Sequence, residues 1–215
     1  MTKEGIRYWQ SEAARDWPNA VWTGGKKHDL IYESQVIEGV GLWLREKNFI
    51  PNDGLLFDIG SGPSTLDLLG VDVADRAFAA DISQDLLDKN PLVPDHKFLM
   101  DVGSNRFPQH LQSKVALAVS SRCARYLDVT EKAHVAGQVH AVLRNQGTYV
   151  IIDIYSSPYA DVLGESTPFD IQAERFVLSR AGFRSMNSGS FWVPVHDSKF
   201  GGMEYIRHEY IVGIK

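Results

Sequence analysis

The chain has 215 residues, of which 44% are hydrophobic and 23% charged, and its formal net charge is −5. This composition is typical of a single globular α/β domain and excludes a disordered or fibrous chain. The negative charge disfavours an enzyme that holds nucleic acid on a broad basic surface. Cys123 is the only cysteine in the sequence, so we expect no intrachain disulfide and no cysteine-based metal site, and we predict no metal ligands.

The sequence contains no apolar run of about 18 residues, which is the length that a membrane-spanning helix needs. The first seven residues are mostly polar and lack the apolar stretch of a secretory signal. We therefore expect a cytoplasmic protein without a membrane span.

A helix is the first element that we predict in chain order. Asp29 can cap its amino terminus, and Ile37, Val40 and Leu44 recur on one face. The helix should end near Asn48, because residues 51–54 have the composition of a turn.

Short apolar strands then alternate with helices. We predict strands at residues 55–59, 77–82, 97–102, 115–120 and 148–155. One helix should begin at residue 63, and three others should cover about residues 85–89, 130–143 and 169–181. This alternation predicts a doubly wound α/β sheet that is mostly parallel, with helices on both faces. Two strand-like stretches end the chain without a helix between them, so we predict seven strands, the last of them antiparallel.

The loop after the first strand reads Asp58-Ile59-Gly60-Ser61-Gly62-Pro63-Ser64. Glycines let the backbone turn tightly and approach a ligand closely, and the following helix begins with unpaired N–H groups. The loop is therefore a candidate ligand site. A tight strand-to-helix turn without a ligand is the alternative.

Acidic residues also end the next two predicted strands. Asp81 lies 23 residues after Asp58, and a carboxylate there can accept from both hydroxyls of a ribose, although it could instead cap a helix. Asp101-Val102 follows the third strand, where the carboxylate could accept from an adenine amine or simply lie in an exposed turn. Open α/β sheets bind ligands along this edge, so the three acids together favour a ligand site.

With these motifs, the sequence from about Leu55 to Lys215 resembles the class I S-adenosylmethionine-dependent methyltransferases. The resemblance implies that the loop at 58–62 holds the methionine part of S-adenosylmethionine, that Asp81 binds its ribose, and that Asp101-Val102 binds its adenine. The cofactor-binding residues that it implies are Asp58, Gly60, Ser61, Gly62, Pro63, Asp81, Ile82, Asp101, Val102 and Ser120.

The sequence departs from the family pattern in two places. Ser64 stands where many relatives have a third glycine, and Ser120-Ser121-Arg122 replaces the Asn/Asp-Pro-Pro-Tyr/Phe motif of enzymes that methylate exocyclic amines of bases. We therefore expect a small-molecule or protein acceptor. A small molecule is favoured over nucleic acid. Cys123 lacks the preceding proline of cytosine-C5 enzymes, so a packed thiol is favoured over a nucleophile.

The acceptor end of the site is less defined. Tyr155, His196 and Arg122 are the polar candidates to face the acceptor, and each could instead have a structural role. Residues 1–28 are rich in tryptophan and, as in many relatives, could form a lid before the methyltransferase domain at 29–215. Trp22 and Lys26 are its candidate substrate contacts, with plain core packing as the alternative.

Two other functions use the same strand-end geometry. A nicotinamide-dependent oxidoreductase would require a third glycine in a Gly-x-Gly-x-x-Gly loop, which this chain lacks. A degenerate subunit that binds S-adenosylmethionine without turnover is the other alternative. The sequence does not define the acceptor or the oligomeric state.

Overall fold

The computed structural model describes residues 30–154, 169–197 and 202–215. The helices in these ranges are α1 (Leu30–Glu46), α2 (Thr65–Leu69), α3 (Gln84–Lys89), α4 (Val129–Val142) and α5 (Ile171–Arg180). The strands are β1 (Leu55–Ile59), β2 (Ala77–Asp81), β3 (Lys97–Leu99), β4 (Val115–Ser121), β5 (Leu143–Ile154), β6 (Ser185–Asp197) and β7 (Gly202–Ile214).

The strands in the described part of the chain form one sheet in the order β3-β2-β1-β4-β5-β7-β6. Strands β1 to β5 pair in parallel, whereas β7 is antiparallel to both β5 and β6. The expectation of a mostly parallel sheet with antiparallel pairing at the C-terminal end is confirmed. Because β1, β2 and β4 end side by side, the loops that follow them lie along one edge of the sheet.

Apolar side chains pack against both faces of the sheet. β1 and β4 are buried almost throughout, as expected for central strands of a parallel sheet. Helices α1, α2 and α3 cover one face, and α4 and α5 cover the other. The predicted helices on both faces are therefore present.

Helix α1 connects the C-terminal hairpin with the region of the glycine loop. The Trp43 ring stacks on Phe191 of β6 with centroids 4.1 Å apart. On the same helix, a Cβ added at Gly41 would lie 2.5 Å from the carbonyl oxygen of Leu68 in α2. The backbone of α1 thus lies directly against α2, the short helix that follows the glycine loop. This close approach requires glycine at position 41, because a side chain there would meet the backbone of α2.

Two predicted strand boundaries are wrong, the end of β3 and the start of β5. Strand β3 ends at Leu99 rather than at Val102, because the Asp101 side chain accepts from the backbone N–H of Gly103 (2.9 Å) and forms a turn. Strand β5 begins at Leu143, directly after α4, whereas we expected a turn as far as Gly147.

Among the described residues, no helix combines the length and the apolar character that a membrane crossing requires.

The contact between α1 and α2 predicts opposite effects for two glycine-to-alanine substitutions. Gly41→Ala should lower the free energy of unfolding by about 1–3 kcal/mol, because its methyl group meets backbone atoms that cannot rotate away. Gly137→Ala in α4 has no atom within 4 Å of the new methyl group and should raise that free energy by about 0.5–1 kcal/mol through helix propensity. Urea denaturation of both variants measures the difference. Equal effects would contradict the close packing of α1.

Candidate functional site

A cleft opens along the edge where the parallel strands end. It encloses about 1000 Å³ including its open mouth. Its wall comes from α1, from the loops after β1, β2, β3 and β4, and from the end of β5. The polar and charged residues of this wall are Asp58, Ser61, Ser64, Asp81, Asp101, Ser121, Arg122, Cys123, Arg125 and Tyr126.

The glycine loop folds back onto the end of β2. The backbone N–H groups of Gly60 and Ser61 both donate to the carbonyl oxygen of Ala80, at 2.8 and 3.1 Å. Gly60 and Gly62 have φ values of +69° and +52°, a region that side chains disfavour. A Cβ at Gly60 would also lie 2.5 Å from the sulfur of Cys123. The packing against Cys123 therefore requires glycine at position 60, in addition to the tight turn and the close approach of a ligand that the sequence suggested.

Asp81 fixes the other side of this loop. Its Oδ2 accepts from the backbone N–H of Gly62 at 2.8 Å, and its Oδ1 accepts from that of Ser83 at 2.9 Å. The hydroxyl of Ser83, not the carboxylate of Asp81, caps α3 by accepting from the backbone N–H of Leu86. Burial raises the pKa of Asp81 above its ordinary value, against the opposing effect of the backbone hydrogen bonds.

Asp58 lies beside Asp81 at the floor of the cleft and is 2% exposed. The hydroxyl of Thr65 donates to its Oδ2 at 2.9 Å. The amide of Asn90 in turn donates to the Thr65 hydroxyl (2.8 Å) and to the carbonyl oxygen of Gly62 (2.9 Å). Burial raises the pKa of Asp58 to about 7, the Thr65 hydrogen bond opposes this shift, and the Asp81 charge adds to it.

Sequence reasoning missed Asn90, which ties α2 and the glycine loop to the end of α3. Nothing in the sequence marks it, because asparagine after a helix also has the composition of an ordinary turn.

Asp101 and Val102 lie on the cleft wall as expected, and Val102 is buried. The Asp101 carboxylate accepts from the backbone N–H of Gly103 and from the hydroxyl of Ser104, both at 2.9 Å. This is the local turn that we kept as the alternative. Each carboxylate oxygen has a second lone pair, so the turn and a ligand can share the group.

The opposite end of the cleft contains two buried arginines, Arg122 and Arg125. The backbone of Arg122 has φ +62°, and its N–H donates to the carbonyl oxygen of Ile152 at 2.8 Å. Arg125, which the sequence analysis did not single out, forms an ion pair with the fully buried Asp153 and donates to the carbonyl oxygen of Ile154 at 3.1 Å. The residues of this pair are 28 positions apart, so no local pattern could reveal it.

Cys123 lies on the cleft wall with an unreactive thiol. Burial raises its pKa to about 12, and the charges of Asp81, Asp153 and Asp58 add to the shift. Because the thiolate is the nucleophilic form, this environment favours the packed thiol.

The structure brings most of the predicted site residues together. Asp58, Gly60, Ser61, Asp81, Ile82, Asp101, Val102 and Arg122 line the cleft. Gly62, Pro63 and Ser120 do not lie on its wall; Gly62 acts through its backbone, and the buried Ser120 lies beneath the wall at the end of β4.

The other acceptor candidates do not line this cleft or cannot be placed. His196 is exposed on the hairpin, where its backbone N–H donates to the side chain of Gln35 at 2.6 Å, and it does not line this cleft; its role at the acceptor site stays a prediction. Tyr155, Trp22, Lys26 and the whole segment 1–28 lie outside the described residues.

No protein-family model matches the sequence, and no curated protein matches it significantly. Solved structures match the chain in fold. The magnesium protoporphyrin IX methyltransferase of Synechocystis PCC 6803, with bound S-adenosylhomocysteine, is 12% identical and superposes with a TM-score of 0.66 over 99% of this chain and 98% of that one. A methyltransferase from Leishmania major is 13% identical, with a TM-score of 0.66 over 99% and 82%. One from Archaeoglobus fulgidus is 13% identical, with 0.60 over 83% and 94%.

The chain has the fold of the class I S-adenosylmethionine-dependent methyltransferases. The strand order of this methyltransferase fold also separates it from the nicotinamide-binding sheet, whose six parallel strands follow the order 3-2-1-4-5-6. Here β7 lies between β5 and β6 and runs antiparallel to both.

The buried carboxylate of Asp58 predicts how stability depends on pH. Its pKa is about 7 in the folded protein and near the ordinary value of 3.8 in the unfolded chain, so the folded state holds the proton more tightly between these values. The Asp58 contribution to the free energy of unfolding is therefore largest below about pH 4 and is lost as pH rises to 7. Asp58→Asn should remove this contribution while retaining an acceptor for Thr65.

Chemical denaturation of wild type and Asp58→Asn at pH 4.5 and 7.5 measures this effect. Asn should stabilise the protein relative to wild type more at the higher pH. Asp95→Asn, which removes the same charge from an exposed position in a short 3-10 helix outside the cleft, is the matched control. A difference between wild type and Asp58→Asn that does not change with pH would contradict the raised pKa.

Proposed function

We propose that this protein binds S-adenosylmethionine and transfers its methyl group to an acceptor. The observation that carries the proposal is the arrangement of three carboxylates, those of Asp58, Asp81 and Asp101, after three neighbouring parallel strands and on the wall of one cleft. The methyltransferase fold supports the same conclusion. The Synechocystis structures contain S-adenosylmethionine in one case and S-adenosylhomocysteine in another.

The electrostatics of the cleft floor suit a cationic ligand. Burial disfavours the ionised forms of Asp58 and Asp81, and their mutual repulsion adds to this for Asp58. A ligand with positive charges nearby would stabilise both carboxylates in the ionised form. S-adenosylmethionine has two such charges, an ammonium and a sulfonium.

The residue roles follow the order of the strands. In this proposal the loop from Asp58 to Gly62 holds the methionine part, Asp81 accepts from the ribose hydroxyls, and Asp101 with Val102 receives the adenine. Pro63, Ile82 and Ser120 support these positions from the adjoining loop and strand ends. The two hydrogen bonds to Asp81 orient its carboxylate before the ligand arrives, and each of its oxygens retains a lone pair.

Methyl transfer needs little acid–base chemistry from the protein. When bound, S-adenosylmethionine supplies an activated methyl group on a sulfonium sulfur. Transfer requires the acceptor to lie in line with that group at about 3–3.5 Å and away from water. The apolar wall of the cleft, which includes Ile37, Leu86 and Ile154, would exclude water there. A base is needed only for an acceptor that must lose a proton. The raised pKa of the Cys123 thiol disfavours its nucleophilic thiolate form.

We propose a small-molecule acceptor in preference to nucleic acid. The net charge of −5 supports this, because a broad basic surface is the usual means of holding nucleic acid. A protein acceptor or partner is the second possibility: a Haloferax volcanii methyltransferase, 15% identical with a TM-score of 0.60, forms a complex with the activator Trm112. Residues 1–28 stay a proposed lid, and a cytoplasmic location stays a prediction.

Calorimetry with S-adenosylmethionine, S-adenosylhomocysteine and nicotinamide adenine dinucleotide tests the cofactor. The first two should bind and the dinucleotide should not; the reverse result would overturn the proposal. A screen for transfer of a labelled methyl group to metabolite pools, peptides and RNA then separates an enzyme from a subunit that binds the cofactor without turnover.

Asp81 provides the most direct test of the residue roles. Asp81→Ala should weaken S-adenosylmethionine binding by about 1.5–3 kcal/mol, the value of charged hydrogen bonds. Asp85→Ala removes the same charge from an exposed position four residues away, outside the cleft wall, and should leave the dissociation constant unchanged. Calorimetry measures both. An unchanged dissociation constant in a folded Asp81→Ala protein would exclude the proposed role.

A further inference from the structure

Asp58 and Asp81 form a pair of buried carboxylates on the floor of the cleft. They are 2% and 8% exposed, and both lie on the cleft wall at the ends of the neighbouring strands β1 and β2. Within residues 30–154, 169–197 and 202–215, no lysine or arginine forms an ion pair with either of them. Two neighbouring buried negative charges repel each other, so one carboxylate of such a pair keeps its proton at a pH where an isolated one is ionised.

The hydrogen bonds indicate which carboxylate keeps the proton. Asp81 accepts from two backbone N–H groups, those of Gly62 and Ser83, and these bonds favour its ionised form. In the described part of the chain, Asp58 accepts only from the neutral hydroxyl of Thr65. Burial raises the pKa of Asp58 to about 7, the Thr65 hydrogen bond opposes this shift, and the charge of Asp81 adds to it. The proton of the pair therefore belongs to Asp58.

The cleft wall contains other titratable groups, which are Asp101, Arg122, Cys123, Arg125 and Tyr126. Arginine stays charged in proteins, and Asp101 is only half-buried, in a turn. Burial raises the pKa values of Cys123 and Tyr126 to about 12, so both stay neutral near pH 7. No histidine of the described ranges lies on this wall. Asp58 is therefore the group of the described wall whose charge changes just below neutral pH.

We propose that Asp58 distinguishes S-adenosylmethionine from its product by exchanging a proton for the positive charge of the cofactor. This inference rests on the proposed function and adds the residue that selects between cofactor and product. S-adenosylmethionine has an ammonium and a sulfonium, whereas S-adenosylhomocysteine has the ammonium alone. When the cofactor binds, the O–H bond of Asp58 breaks, the proton passes to the solvent, and the carboxylate that remains is stabilised by the cationic ligand. Loss of the methyl group removes one of the two charges, so the product is held less tightly.

The number of protons released on binding tests this exchange directly. Calorimetry of the full chain in two buffers of different ionisation enthalpy, both at pH 6, measures that number. Below pH 7 the ammonium of the ligand stays protonated, so a released proton comes from the protein. S-adenosylmethionine should release close to one proton and S-adenosylhomocysteine fewer. The neutral 5′-methylthioadenosine, which has neither charge, should release none.

The same exchange makes the affinities depend on pH. Free Asp58 loses its proton as pH rises, so S-adenosylmethionine should bind about tenfold more tightly at pH 7 than at pH 5.5. The affinity for S-adenosylhomocysteine should rise less, and that for 5′-methylthioadenosine should not rise. The preference for cofactor over product, measured as the ratio of their dissociation constants, should therefore increase over this pH range.

Two variants separate this role from a purely structural one. Asp58→Asn resembles the protonated carboxyl group and retains an acceptor for Thr65, so it should release no proton and its preference for the cofactor should not change with pH. Thr65→Val removes a hydrogen bond that favours the ionised carboxylate, so at pH 7 it should release more protons than wild type. Asp85→Asn changes an exposed charge outside the cleft wall and should behave as wild type in both measurements.

Two results would overturn the inference and leave the proposed function intact. One is binding of S-adenosylmethionine to wild type at pH 6 without release of a proton. The other is an Asp58→Asn protein that still releases the proton, which would assign it to a different group. If wild type binds neither S-adenosylmethionine nor S-adenosylhomocysteine, the proposed function fails together with the inference.

Discussion

The hydrogen bonds to the carboxylate of Asp81 are the constraint on which the site depends. One oxygen accepts from Gly62 in the loop after β1, and the other accepts from Ser83 at the start of α3. A buried carboxylate has a high energy unless such donors surround it, so this arrangement of the two loops stabilises the folded protein. The same two hydrogen bonds thus fix the shape of the cleft floor and contribute to stability.

The sequence predicts the parts of this structure that follow local rules. The bounds of β1 are predicted correctly and the end of β2 to within one residue, because each is a short buried apolar run that ends close to an acidic residue, Asp58 or Asp81. The pairing of β7 between β5 and β6 does not follow from local rules. It depends on which apolar face packs against α1, through contacts such as that of Trp43 with Phe191, and these join distant parts of the chain.

The same distinction applies to the site. The acidic residues were identifiable because each lies within two residues of the end of a strand, whereas Arg125 and Asn90 have roles only through partners far along the chain, Asp153 and Thr65. Gly60 was identified for an incomplete reason, because the neighbour that excludes a side chain there is Cys123, 63 positions later. His196, a polar residue in a suitable region of the sequence, lies exposed on the hairpin and not on the wall of the cleft.

Strand β6 lies at the edge of the described sheet, and its 13 residues would offer neighbouring molecules a long row of backbone groups. Pro194 interrupts that row. It has no N–H to donate, it is exposed, and it lies opposite Tyr205 near the end of the hairpin. Exposed strand edges are templates for intermolecular pairing, and proline is one of the residues that block it. The hairpin that completes the sheet therefore contains a residue that opposes intermolecular strand pairing. This residue lies near Trp192 and Tyr205, whose exposed side chains favour association at this edge.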